Sequence, residues 1–247
     1  MPDSLLQRYL EPLVAGRRRE CFELISAALN DGATAGNLLA DVVWPALEHV
    51  ERLFRSDRLS HATEHAACLI NRTVSDQLQA RLPAAPPNGR RVVVTCADSE
   101  SEELGGQITS DLLQADGWEV FFIGAGGPHD EILSLIGQLR PDILVIFGAQ
   151  PDDVPNARRL VEMIREVGVC PTMNIVASGG IFNRADGLWQ EVGADVLCPT
   201  PQELPELLRD LPPREPTTVV RIGVVKRRRR KRKDTPASLA TTAGAAR

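Results

Sequence analysis

The stretch 142-DILVIFG-148 sets five apolar side chains in a row between an aspartate and a glycine. It is too short for a stable helix and shows no alternation, so it reads as a strand buried on both faces. Four more runs share its character: 91-RVVVTCA-97, 118-WEVFFIG-124, 173-MNIVASGG-180 and 195-DVLCP-199. Between them lie helical patterns over about 103–116, 128–139, 152–167, 184–192 and 201–210. Strand–helix alternation at this spacing gives right-handed crossovers and a parallel sheet. Residues 90–210 are therefore expected to form a doubly wound α/β domain of five parallel strands.

Upstream, the period changes to that of helices. Leu5, Leu6, Tyr9, Leu10, Leu13 and Val14 share one face, and Cys21, Leu24, Ile25 and Leu29 share another before Asn30-Asp31-Gly32. A third segment runs from about Thr34 to Phe54, where Pro45 should bend rather than end it. A fourth, about His61 to Leu82, carries Leu69, Ile70, Val74 and Leu78. Four such helices bury their stripes best against one another, which predicts a bundle over 1–82. The proline-rich 83–89 reads as a linker.

Downstream, residues 211–247 read as a disordered basic tail. Positions 221–247 hold ten Lys/Arg and one Asp, about +9, so the other residues carry about −14 of the overall −5. The block from Lys226 to Lys233 is wholly basic and repels itself unless it meets a polyanion. Nucleic acid or an acidic protein partner fits it, anionic lipid would also serve, and a purely solubilising tail is the bland alternative. A homo-oligomer is a further partner expectation. No apolar run reaches the length of a membrane span, and the start of the chain lacks the order of a signal peptide, so a soluble cytoplasmic protein is expected. The five cysteines and four histidines show no CxxC or HExxH spacing, which argues against a disulfide framework or a zinc site.

In a parallel sheet, ligands bind outside the carboxyl ends of the strands. Glycines gather there: Gly105 and Gly106, Gly124, Gly126 and Gly127, and Gly179-Gly180. They let a backbone approach a bulky group, or they serve as turns. Neither GxGxxG nor GxxxxGK[ST] is present. The acidic 98-DSESEE-103 is either a helix cap or a cation or phosphate site. A receiver-domain reading fails, because Gly148-Ala149 and Pro199-Thr200 stand where an acceptor Asp and a Lys are needed.

Taken together, residues 3–210 resemble the cobalamin (vitamin B12)-binding family, which includes methyltransferase corrinoid proteins and B12-dependent light sensors. The resemblance implies a helical cap over the upper face of the cofactor. Below it would lie a flavodoxin-like, Rossmann-like domain holding the lower face and the nucleotide tail. The family's Asp-x-His-x-x-Gly motif, placed by counting back from Gly117, falls on 100-ESEELG-105. Glu100 then stands in the Asp place, Glu102 in the place of the cobalt-ligating His, and Gly105 on the motif glycine. Strand two (117-GWEVFFIG-124), strand three (141-PDILVIFG-148), Gly179-Gly180 and 193-GAD-195 also match. The Ser/Thr residues that follow strand three near the tail are missing from 148-GAQPDD-153.

The segment 54-FRSDRLSHATEH-65 is similar to the sensors' cap motif. Phe54 takes the place of Trp, Glu64 and His65 fall on its Glu-His pair, and Arg55 replaces a further His. His61 lies one turn before His65 on the same face, so both imidazoles could reach one pocket, although His65 on its stripe also suits a core histidine. The resemblance implies cobalamin or another corrinoid as cofactor. Phe54, His61, Glu64, His65, Glu100, Glu102, Gly105, Gly124, Ala149, Gly179 and Gly180 are its expected contacts, with no metal ligand supplied by the protein. The leading expectation is a non-enzymatic regulatory or sensor protein. A corrinoid carrier for methyl transfer and an interaction scaffold with a changed pocket are the alternatives. A self-sufficient enzyme ranks last, for want of a nucleophile–base–orienter set.

Overall fold

The computed structural model describes residues 4–97 and 103–216. The basic block Lys226–Lys233 and the motif positions Glu100 and Glu102 lie outside the described residues.

The N-terminal helices are α1 (Leu5–Val14), α2 (Arg18–Asn30), α3 (Ala35–Leu38), α4 (Trp44–Arg55) and α5 (His61–Gln79). Ser4 caps α1 with a reciprocal capping box to Gln7, and Ser60 caps α5 through the Thr63 N–H. The third predicted segment is continuous but not uniform. A π-turn at Leu39–Val43 joins α3 to α4, just before Pro45. Proline lacks the N–H that an α-helix would direct to the carbonyl four residues back, and the wider turn absorbs the break. Across the bundle, the Tyr9 hydroxyl donates to Asn71 Oδ1 at 2.8 Å, with both residues fully buried.

The sheet comprises β1 (Arg91–Cys96), β2 (Glu119–Gly124), β3 (Ile143–Phe147), β4 (Asn174–Ser178) and β5 (Val196–Cys198). All pairs are parallel, in the order β2-β1-β3-β4-β5. Every residue of β3 and β4 is buried, as continuous apolar runs require, whereas the edge strands β2 and β5 are only partly covered. Helices α6 (Glu103–Ala115), α7 (His129–Leu139), α8 (Val154–Val167) and α11 (Leu204–Arg209) make crossovers or cover the faces. The chain leaves β1 toward β2 on one side and reaches β3 on the other. The topological switch point therefore lies between β1 and β3.

Three segments depart from expectation. The helix expected over 184–192 is two short pieces, α9 (Gly180–Arg184) and α10 (Leu188–Glu191), because Gly187 takes φ +77°. The linker is pinned to the sheet half: Ala85 N–H donates to Ala115 O and Asn88 N–H to Gly117 O. At Gly117, φ is +89° and a Cβ would collide with the Pro86 carbonyl. Residues 211–216, placed in the tail by composition, also belong to the folded part. Arg214 N–H donates to Thr172 O, and Asn174 Nδ2 donates to Pro212 O at 2.8 Å. Their prolines cannot extend a helix, yet their carbonyls still accept.

The described residues, up to Pro216, form one compact unit. A single apolar cluster runs from Tyr9, Leu13 and Val50 of the bundle to Trp44, and on to Leu104, Ile108, Cys96 and Phe147 of the sheet half. Among the described residues, no helix is long and apolar enough to cross a membrane.

Candidate functional site

A cavity of about 390 Å³ opens between the bundle and the carboxyl edge of the sheet, beside the switch point. One wall comes from α4 through Trp44, Leu47, Glu48, Glu51 and Phe54, a spacing that keeps one helical face turned inward. The adjoining wall comes from α5 through His61, Glu64, His65 and Cys68, at the same period. The floor is Gly105 of α6 and Phe147 at the end of β3, and the rim is Ala149, Gln150 and Gly180.

The bundle wall carries rings with accessible edges. Phe54 meets His61 edge-on at 5.9 Å between centroids, and His61 stacks on His65 at 6.4 Å. Both imidazoles are exposed, so His65 is not the core histidine its apolar stripe allowed. Between them Glu64 turns inward, 9% exposed, and accepts the Cys68 thiol at 3.2 Å. Burial, with the Glu64 charge beside it, pushes the Cys68 thiol far up, so it stays protonated. Burial also raises the Glu48 carboxyl. Trp44 keeps a buried indole N–H without a hydrogen-bond partner among the described residues. An acceptor on a bound molecule would satisfy it.

Arg184 closes one side. Its guanidinium donates to Glu51 Oε1 at 2.8 Å and to the Ala149 carbonyl, and so ties α4 to the loop after β3. It lies against Gly180, where a Cβ would press on it. A second tie runs from Arg72 of α5 to Glu103 at 3.3 Å, and Glu103 also accepts the Ala125 N–H. The last residue of the acidic run 98–103 thus has a structural use in joining the halves. Gln107 donates to Asp76 at 2.6 Å. Nearby, burial and the Asp76 charge push the Asp111 carboxyl up to about 7.

The structure brings Phe54, His61, Glu64, His65, Gly105, Ala149 and Gly180 around this cavity. Gly124 and Gly179 do not line it. Gly124 has φ +77°, and an added Cβ would meet the Glu103 carboxylate; Gly179 has φ +100°, and an added Cβ would collide with the Gly148 carbonyl. Both are there for backbone geometry. Gly105 makes room for a bulky group, but that group is the protein's own Phe147 ring. Asp195 of 193-GAD-195 accepts from the Ile175 N–H, Arg165 and Arg214, so this match holds β4 and β5 together away from the cavity. Trp44, Glu48, Glu51 and Cys68 escaped the sequence reading. Their signal was the inward period of α4 and α5, which names a face but not what faces it. Among the described residues, no cluster of three His, Cys, Asp or Glu side chains could hold a metal ion.

Residues 90–208 match a family model described as a B12 binding domain, and residues 5–79 match a second model of the same description. Dimethylamine corrinoid protein 3 of Methanosarcina acetivorans is 25% identical over 120 residues, covering 48% of this chain and 55% of that protein. The chain thus spans about half the length of that curated relative. The fold is similar to that of the Methanosarcina barkeri monomethylamine corrinoid protein, with a TM-score of 0.71 at 12% identity over 83% of this chain and 96% of that one.

Proposed function

Since the chain belongs to the B12-binding domain family, whose cofactor is cobalamin or another corrinoid, we propose that it holds a corrinoid in the cleft between bundle and sheet and carries it for methyl transfer. One observation bears most of the weight: a single cavity takes one wall from each matched segment, at the switch point where open α/β sheets bind ligands. The residues present suit the upper part of such a group. Phe54, His61 and His65 offer ring edges to a flat macrocycle, and Trp44 Nε1 offers a donor to the amide groups at its periphery. Gly105, Phe147 and Gly180 line the opposite side. When bound, the corrinoid supplies a cobalt centre able to hold a methyl group. The chain's own part is to orient the ring, to exclude water with the apolar floor and to leave the cobalt reachable by a partner methyltransferase.

The likeness to dimethylamine corrinoid protein 3 supports a carrier more than a light sensor. So does Arg55, which stands where the sensors place a further His. Its guanidinium lies 3.9 Å from Glu51 and can make no bond to cobalt. The test is to incubate the full chain in the dark with excess methylcobalamin or methylcobinamide, and then to run size exclusion before and after illumination. The expected result is corrinoid absorbance in the protein peak with an elution volume that light leaves unchanged. Loss of the colour with both corrinoids contradicts binding. A light-dependent change in elution contradicts the carrier and restores the sensor.

A further inference from the structure

The floor of the cleft sets a limit on which corrinoid can enter. Where the cavity meets the sheet half, its floor is the seam between the first turn of α6 and the residue ending β3, so an appendage directed downward from a ring in the cleft meets that seam. That seam is closed. Phe147 is 2% exposed, and its ring lies so near Gly105 that an added Cβ would sit well inside 3.0 Å of it. The ring also meets Trp44 edge-on at 6.0 Å, so it is held from the bundle side as well. The neighbouring seam, between α6 and β1, is filled by Cys96 Sγ against Gly106.

The hydroxyls of α6 beside that seam offer little to a heterocyclic base. The Thr109 and Ser110 hydroxyls of α6 donate to the Gly105 and Gly106 carbonyls, at 2.8 and 2.9 Å. An inserted base would meet apolar side chains with its own polar atoms unpaired, which is unfavourable.

We infer that the cleft takes a corrinoid by its ring alone: its ligand is an incomplete corrinoid without the lower nucleotide, of the cobinamide class. The inference rests on the corrinoid reading above and narrows it. Complete cobalamin would have to keep its nucleotide outside the fold, at a cost in affinity. Opposite Phe147 in the ladder, Ser178 has a fully buried hydroxyl without a partner among the described residues, so a smaller residue at 147 would open a slot with a donor nearby.

The experiment titrates the full chain with hydroxocobinamide and with hydroxocobalamin, following absorbance and heat. The wild type should bind cobinamide at least tenfold more tightly. In Phe147→Ala the ratio should fall toward one because cobalamin binding improves. Phe147→Leu, which keeps most of the floor filled and checks against a merely destabilised fold, should retain the preference. Equal affinities in the wild type, with a base-off cobalamin spectrum, would overturn this inference and leave the corrinoid reading standing. Failure of both corrinoids to bind would overturn the corrinoid reading and the inference with it.

Discussion

On the bundle side of the cleft, His61 and His65 are exposed, Glu64 is turned inward and the Trp44 N–H has no partner among the described residues. On the sheet side, Gly105 and Phe147 offer only carbon, and the nearest hydroxyls of α6 are spent on its own backbone. The bundle wall therefore supplies chemistry to a ligand, while the sheet floor supplies shape. Truncation should then be costly to the fold at the floor and costly to binding at the wall.

The largest effect on stability is expected at Phe147. Phe147→Ala leaves a void between Gly105 and Trp44, and such truncations cost about 3–5 kcal/mol. Urea denaturation of the apoprotein checks this, and a loss under about 1 kcal/mol would mean that the floor collapses easily. Next comes the seam where α5 meets α6. Asp111 binds its proton more tightly folded, at about 7, than unfolded, near the ordinary 3.8. Stability should therefore fall as pH rises from about 4 to 7, where the folded state holds more protons. Asp111→Asn should stabilise the protein by on the order of 2 kcal/mol at pH 8 and have little effect at pH 4. Equal melting temperatures for the two proteins at pH 8 would show that Asp111 is solvated.

Most of the fold could be read from the sequence, and the site only in part. Runs such as 143–147 announce buried strands because an environment closed on both faces favours apolar residues, and the helical stripes are as plain. Gly105 could be identified as a point of close approach, but its neighbour Phe147 lies at the end of β3, remote in sequence. Nothing local in 142-DILVIFG-148 distinguishes a floor residue from an ordinary core residue. Arg184 reaches Glu51 across 133 positions, a contact that no local pattern encodes. The prolines of 211–216 look like the start of a tail, because composition reports what cannot be helix and says nothing of carbonyls that accept bonds from Asn174.

A smaller effect is expected at Arg184. Removing its ion pair in Arg184→Ala should cost about 0.5–1 kcal/mol, since the pair is partly exposed. Stopped-flow mixing with hydroxocobinamide should show faster entry and release. Unchanged rates would mean that this tie does not limit access. The smallest change in stability belongs to the wall. His61→Ala with His65→Ala should shift the unfolding midpoint little, within about 0.5 kcal/mol per site, as both are exposed. Corrinoid affinity should nevertheless fall at least tenfold, and unaltered affinity would remove these imidazoles from the binding wall.

Hydrogen exchange of the full chain with and without hydroxocobinamide tests the central claim, that the cofactor sits between bundle and sheet, most directly. The account predicts added protection in two stretches far apart in sequence, Trp44–Cys68 and Gly148–Arg184, with the outer helices α1, α2 and α8 unchanged. Protection confined to one half, or lying elsewhere, would contradict it.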